Sequence, residues 1–295
     1  MLDLPDKVKH YMKSVEKTEK VDYVKLKEQY NLFIELENEL KNHNKLKYPL
    51  CIPSCKNRKP SLLDKLELFG DSEIYVFNYE NEVDLYKWLD KPNVHKVTVP
   101  LEYLSIQKMR QFIQNYMGDK IYWAIDDDYN AMFFPWKLKK LNEFEGLHIL
   151  ELLIDKEFPT HDFSAISPTH LESACRFFHG DLFKYGFASL CLYNGKVLRE
   201  HNLYYTGDNT VDEAAEFTIL SWLHGCPVKT TRAFQILEYA PTGGSNTIAC
   251  TNEKVKKMGE NIAKKYPDYI TVKWSKTGKV PTQRINYSKL KKFLT

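Results

Sequence analysis

IYWAIDDDYNAMFF, residues 121–134, decides how this chain is read. Five residues suited to a buried strand run directly into three consecutive aspartates. Adjacent carboxylates repel one another, so a strand that ends this way calls for a positive counterpart. Side chains alternate along a strand, which puts Asp126 and Asp128 on one side and Asp127 on the other. Two hard oxygen donors on one side suit Mg²⁺ or Mn²⁺. Magnesium typically takes one or two carboxylates and completes its shell with water and substrate phosphates. Asp-x-Asp at the end of a buried strand therefore predicts a metal bridging to a diphosphate. The plain alternative is an acidic turn held by local backbone hydrogen bonds.

The preceding residues set this strand in context. YPLCIPS (48–54) reads as a strand, SLLDKLELFG (61–70) as a short helix stopped by Gly70, and EIYVFNY (73–79) as a second strand. NEVDLYKWLD (81–90) reads as helical and HKVTVP (95–100) as a third strand. SIQKMRQFIQNYMG (105–118) reads as a helix with Ile106, Met109, Ile113 and Met117 on one face and Gly118 as its stop. Strand and helix thus alternate through residues 48–125, which predicts an α/β fold with a mainly parallel sheet. Ligands in such sheets bind beyond the carboxyl ends of the strands, where the aspartates stand.

The second half is less regular. Asn194-Gly195 between apolar runs signals a hairpin. DNTVDEAAEFTILSWLHGCP (208–227) is a well-marked helix that Asn209 or Thr210 can cap and Gly225 and Pro227 stop. EKVKKMGENIAKKYPD (253–268) is a basic helix, and YITVKW (269–274) a strand. Before Tyr48, residues 6–47 are rich in Lys and Glu with no Gly or Pro, and predict one or two amphipathic helices. The expected division is a helical extension over 1–47 and an α/β domain over 48–295. Within that domain, 48–135 would bind the donor and 136–295 the acceptor.

Composition narrows the function classes. The chain has 295 residues, 43% of them hydrophobic, which excludes wholesale disorder. Its formal charge of +3 does not announce a nucleic-acid binder as a whole, although basic residues dominate from Lys254 onward. No run approaches the roughly eighteen apolar residues of a membrane span, and MLDLPDKVKHYMK lacks a signal-peptide core. A soluble, cytoplasmic protein is expected. The six cysteines include no CxxC pair and read as free thiols. His161, His170, Cys175 and His179 invite a zinc site, but their spacing matches no common one.

Ile52-Pro53-Ser54 with Arg58, then Arg110 on a helix, then WAIDDDYNAMF, taken in that order, resemble a GT-A glycosyltransferase. More narrowly, they are similar to the TET-associated glycosyltransferase family. These are largely phage-encoded enzymes thought to attach sugars to hydroxymethylated pyrimidines in DNA. The resemblance runs from about Tyr48 to about Tyr287. It implies a GT-A-like, Rossmann-type mixed sheet flanked by helices, a nucleotide diphosphate-sugar donor, Mn²⁺ or Mg²⁺, and DNA with modified bases as acceptor, in the host cytoplasm if phage-encoded. Pro53, Ser54 and Arg58 stand where the family binds base and ribose. Arg110 is retained, although Gln111 replaces the family's Asn. By the same resemblance Asp126 contacts the sugar nucleotide, with Asp127 beside it, and Asp128 ligates the metal. Gly243-Gly244 resembles a loop that follows the family's late helix, and could form a backbone nest for phosphate.

Transfer of a sugar to a hydroxyl needs a carboxylate to take the proton. The start of the helix near 211 offers Asp212, Glu213 and Glu216, which also suit a helix N-terminus without any catalytic role. By the resemblance, GT-A enzymes that invert the anomeric centre often carry Glu-Asp at the start of such a late helix, with the Asp as base. This chain has Glu213-Ala214, so Glu213 is the first choice of base and Asp212 the second. A glycan or protein acceptor, or a non-catalytic nucleotide-sugar or DNA-binding role, are the alternative readings.

Overall fold

The computed structural model describes residues 6, 9–10, 13, 16–17 and 20–294, except 57–60, 130, 136–137, 171–180, 187–189, 209, 239–251 and 275–280. In chain order its elements are α1 (Tyr23–Leu40), β1 (Leu50–Pro53), β2 (Ile74–Tyr79), β3 (Val94–Val99), α2 (Ile106–Met117), β4 (Ile121–Ala124) and β5 (Ala131–Pro135). Then come α3 (Glu143–Glu157), β6 (Ala165–His170), β7 (Phe183–Tyr185), β8 (Cys191–Asn194), α4 (Gly195–Glu200), α5 (Glu213–Leu223) and β9 (Lys229–Glu238). α6 (Asn252–Lys265), β10 (Ile270–Trp274), β11 (Pro281–Ile285) and α7 (Tyr287–Leu290) complete the chain. Short 3-10 turns span Leu62–Phe69 and Glu80–Tyr86. Among the described residues no helix is long and apolar enough to cross a membrane.

One mixed sheet runs in the order β3-β2-β1-β4-β8-β6-β9-β5, with β7 also paired to β9. β3, β2, β1 and β4 are mutually parallel, and β8 joins β4 antiparallel. The Rossmann-type mixed sheet flanked by helices that the resemblance implies is therefore present, and its β3-β2-β1-β4 half is parallel as the alternating pattern predicts. Strands β1 and β2 are buried at every position, because helices cover both faces of a parallel sheet. Leu50, Ile52 and Trp123 face α1 and α3, where they meet Leu26, Phe33, Leu36, Leu150 and Ile154. Cys51 and Tyr122 face the other way, toward Met109, Ile113 and Met117 of α2 and Phe217 of α5. On its opposite side α5 packs Ala215 and Ile219 against Ile262 of α6 and Ile270 of the β10–β11 pair.

Several local readings change. Asn194-Gly195 does not turn a hairpin. The Asn194 side chain instead accepts from the Val197 N–H and caps α4. A Cβ at position 195 would lie 1.9 Å from the Gly118 carbonyl oxygen, so the glycine serves a close backbone approach. Asp212, rather than Asn209 or Thr210, caps α5. Residues 62–69 and 80–86 are 3-10 rather than α-helical. Ile106 lies at the exposed start of α2, while Met109, Ile113 and Met117 are buried as expected.

Glu151 of α3 fixes the far end of β1 and β4. Its buried carboxylate accepts from the Lys47 N–H at 2.9 Å, the Tyr48 N–H at 3.2 Å and Trp123 Nε1 at 2.8 Å. Truncation strands these donors away from water. Glu151→Ala should therefore destabilise the fold by about 3 kcal/mol, the scale of unpaired buried polar groups. Urea unfolding measures this, and an unchanged midpoint contradicts the packing described.

Candidate functional site

The chain leaves β1 toward β2 and β3, then returns through α2 to lay β4 on the other side of β1. The carboxyl ends of β1 and β4 thus flank a topological switch point, the usual crevice for ligands in open α/β sheets. Ser54 follows β1 there, and Asp126–Asp128 follow β4. The Ile125 N–H donates to the Cys51 carbonyl at 3.0 Å and keeps the two strand ends together.

The three aspartates take separate roles. Asp127 is fully buried and accepts from Ser54 Oγ at 2.6 Å, while its carbonyl accepts from the Leu62 N–H at 2.7 Å. Ser54 Oγ also lies 2.9 Å from the Tyr86 hydroxyl. Ser54 and Asp127, both expected at the donor, are joined to one another beneath the crevice. Their side chains tie the strand ends to the 80–86 turn, and the Asp127 carbonyl adds the 62–69 turn. Asp126 turns the other way, where Arg110 Nη2 lies 3.0 Å from each of its oxygens. Asp128 follows on the turn and is half-buried.

Arg110 is the centre of the arrangement. Its side chain is only 12% exposed, and Nη2 also lies 4.0 Å from Glu213 Oε1. Its Nε is buried with no hydrogen-bond partner among the described residues. Desolvation by burial works against the guanidinium charge, but Asp126, Tyr205 and Glu213 outweigh it and hold its pKa well above the ordinary arginine value. The Tyr205 ring lies 6.0 Å from the guanidinium carbon, and the Tyr205 and Tyr193 hydroxyls are 2.6 Å apart. Burial pushes the Tyr205 hydroxyl up to about 12.

Three glutamines beside Arg110 on α2 explain how Glu213 arrives here. Gln107 Nε2 donates to the Val211 carbonyl at 2.6 Å, Gln111 Nε2 to Tyr205 at 3.0 Å and Gln114 Nε2 to Leu203 at 2.6 Å. Gln114 also accepts from the Tyr205 N–H. This polar stripe, at helical spacing, clamps Leu203, Tyr205 and Val211 along α2 and delivers the first turn of α5 to Arg110. Burial raises the Glu213 carboxyl above the usual range, with the Arg110 guanidinium opposing. A glutamate so tuned suits a general base.

The other two candidate bases are otherwise engaged. Asp212 Oδ1 accepts from the Ala215 N–H at 2.9 Å as the helix cap. Glu216 is 3% exposed and bonds Thr206 Oγ1, the Tyr266 hydroxyl and Lys265 Nζ. Its carboxylate is taken up by α6 and Thr206, and the ion-pair contact to Arg110 falls to Glu213 instead. Nothing in the sequence near 216 pointed to Lys265, and the tyrosine layer carried no motif.

Arg58, Gly243, Gly244, Cys175 and His179 lie outside the described residues. Among the described residues no group of three His, Cys, Asp or Glu side chains could cage a metal. With Asp126 held by Arg110, the side chains fit only an ion bound through Asp128 and completed by a ligand's phosphates, the mode usual for magnesium.

No family model matches the chain, and no curated protein does. Solved structures of TarS from S. aureus are similar to it. TarS 1–349 aligns over 84% of this chain and 69% of its own, at 13% identity and a TM-score of 0.47. The same piece in complex with UDP-GlcNAc aligns over 84% and 70%, at 13% identity and 0.46. A longer TarS structure aligns over 74% of this chain and 40% of its own, at 14% identity and 0.44. At these scores the likeness carries no argument about activity.

Glu216→Ala leaves Tyr266 and Thr206 without their acceptor and should cost about 2 kcal/mol, measured by urea unfolding. Asp208 bonds Lys265 and Thr210, which hold its carboxyl down at about 2. Its stabilisation is present above the ordinary value of 3.8 and is lost as the pH falls toward 2. Melting temperature measured against pH should show this acid limb flattened in Asp208→Asn.

Proposed function

We propose that this chain is a metal-dependent glycosyltransferase. It moves a sugar from a nucleotide diphosphate-sugar to a hydroxyl, that of a hydroxymethylated pyrimidine in phage DNA, with inversion. The observation that carries the reading is Arg110, one buried guanidinium that joins Asp126 on the strand side to Glu213 on the helix side. The GT-A resemblance assigns those two sides to donor and acceptor.

In the proposed reaction Glu213 takes the proton of the acceptor hydroxyl. The acceptor oxygen forms a bond to the anomeric carbon as the bond to the diphosphate oxygen breaks, and that electron pair leaves on the diphosphate. Attack opposite the leaving group inverts the centre. Arg110 orients Asp126 toward the donor, and its Nε–H, without a hydrogen-bond partner among the described residues, is a donor that a bound polar group would satisfy. The tyrosine layer behind it excludes water, which strengthens each charge interaction in the site. A divalent ion held by Asp128 would supply positive charge to the diphosphate.

A thermal-shift screen of nucleoside diphosphates and their sugars, with and without Mn²⁺, tests the donor site. At least one should raise the melting temperature in a Mn²⁺-dependent way; stabilisation by none of them contradicts the reading. Asp128→Ala should lose the Mn²⁺ dependence and transfer roughly 10²-fold more slowly, the scale of removing one charge-stabilising contact. Full activity in that variant removes Asp128 from the metal site.

A further inference from the structure

Charge is distributed very unevenly along this chain. From Lys254 to Lys292 there are twelve Lys and Arg against two acidic residues, Glu260 and Asp268. That stretch carries +10 in a chain whose total is +3, so the remainder sums to −7. The stretch comprises the β10–β11 pair, α7 and all of α6 but its first two residues, of which Glu253 is acidic. Lys257, Lys264, Lys273, Arg284, Lys291 and Lys292 are all exposed, and none has an acidic partner among the described residues. A chance surface lysine often finds a carboxylate on the same domain; here six cations share one unit with almost none to find.

The strand pair gives part of this charge a regular geometry. Thr271 pairs with Arg284, and Lys273 with Thr282, while Ile270 pairs with Ile285. Paired residues in an antiparallel ladder share a face, so Ile270 and Ile285 turn toward the core with α6, and Lys273 and Arg284 share the outer face. They are diagonal neighbours, about 7–8 Å apart, which is close to the step between successive phosphates of a nucleic-acid strand. Beside them Lys292 lies over the Tyr269 ring at 6.0 Å and over Phe293 at 5.1 Å. These ring contacts hold the Lys292 ammonium on the same unit.

The unit is also fastened to the candidate site. Lys265 and Tyr266 hold Glu216, Asn261 Nδ2 donates to the Thr210 carbonyl at 2.9 Å, and Ile262 and Ile270 pack on Val211, Ala215 and Ile219. These contacts fall on α5 and on the residues just before it, and α5 opens with Glu213. The basic surface and the proposed base therefore move as one piece.

We propose that α6, the β10–β11 pair and α7 form the surface that seats the phosphodiester backbone of a nucleic-acid acceptor. Lys273 and Arg284 contact neighbouring phosphates on its outer sheet face. The proposal rests on the glycosyltransferase reading for the purpose of the binding, and not for the binding itself.

Fluorescence anisotropy with the full chain and a labelled DNA duplex, without donor, tests it across a salt series. Each phosphate contact contributes about 0.9 to the slope of log K against log salt. Lys273→Glu with Arg284→Glu should therefore reduce the slope by about two and weaken binding at least tenfold. Lys87→Glu, a control on the 80–86 turn side of the sheet, should bind as the unaltered chain does. Lys273→Gln with Arg284→Gln repeats the test without charge reversal, with urea unfolding as the check on folding. No binding at low salt, or a double variant that matches the Lys87→Glu control, overturns the proposal. So does equal affinity for inorganic polyphosphate or for phosphatidylglycerol vesicles, which would make the surface a general anion sink. The donor thermal shift is read on the same proteins. Loss of donor binding with DNA binding intact sinks the glycosyltransferase reading alone; the reverse sinks this surface alone.

Discussion

The arrangement depends on one buried charge. Removing a guanidinium from water is expensive, and it persists only where carboxylates and hydrogen bonds compensate. Arg110 meets that constraint by drawing Asp126 from the end of β4 and Glu213 from the start of α5 to itself. Residues 110, 126 and 213 are distant in sequence, and the ion pairs join them at the edge of the sheet where the strand order reverses. The glutamines at 107, 111 and 114 extend the same helix face, so α2 acts as a polar rail that holds Leu203, Tyr205 and Val211.

Position on α5 then separates two glutamates that composition treats alike. Glu213, on the first turn, looks toward Arg110 and is partly open, with 22% of its side chain exposed. Glu216, one turn on, looks toward α6 and is consumed by Lys265, Tyr266 and Thr206. One carboxylate remains near a crevice with its ionisation adjusted by burial; the other fastens the C-terminal unit. The aspartate triplet divides in the same manner, with Asp127 sealed below the crevice by Ser54 and Asp126 held above it by Arg110.

Much of the sheet was legible because parallel strands covered on both faces read as unbroken apolar runs, as Leu50–Pro53 and Ile74–Tyr79 do. The strand-to-aspartate junction was legible for the same reason. Features set by long-range contact were not. Asn-Gly suits both a hairpin turn and a helix cap, and what decides at Gly195 is the Gly118 carbonyl, far away in sequence. The cap at Asp212 lies two residues past the expected Thr210, a shift that propensity does not resolve. Glu216 could not be separated from Glu213 without Lys265, which lies on another helix. The order of Arg110, the aspartates and Glu213 was visible in the resemblance, but their meeting at one guanidinium was a product of folding.

If Glu213 is the base of a site that Arg110 organises, transfer must follow the ionisation of its carboxylate. The direct measurement is the pH dependence of transfer at saturating donor, for the unaltered chain beside Glu213→Gln. The unaltered chain should show an acid limb governed by a group above the ordinary glutamate value of 4.5. The variant should lose both that limb and roughly 10²–10⁴-fold in rate. A variant that keeps the rate and the limb would contradict this role of Glu213.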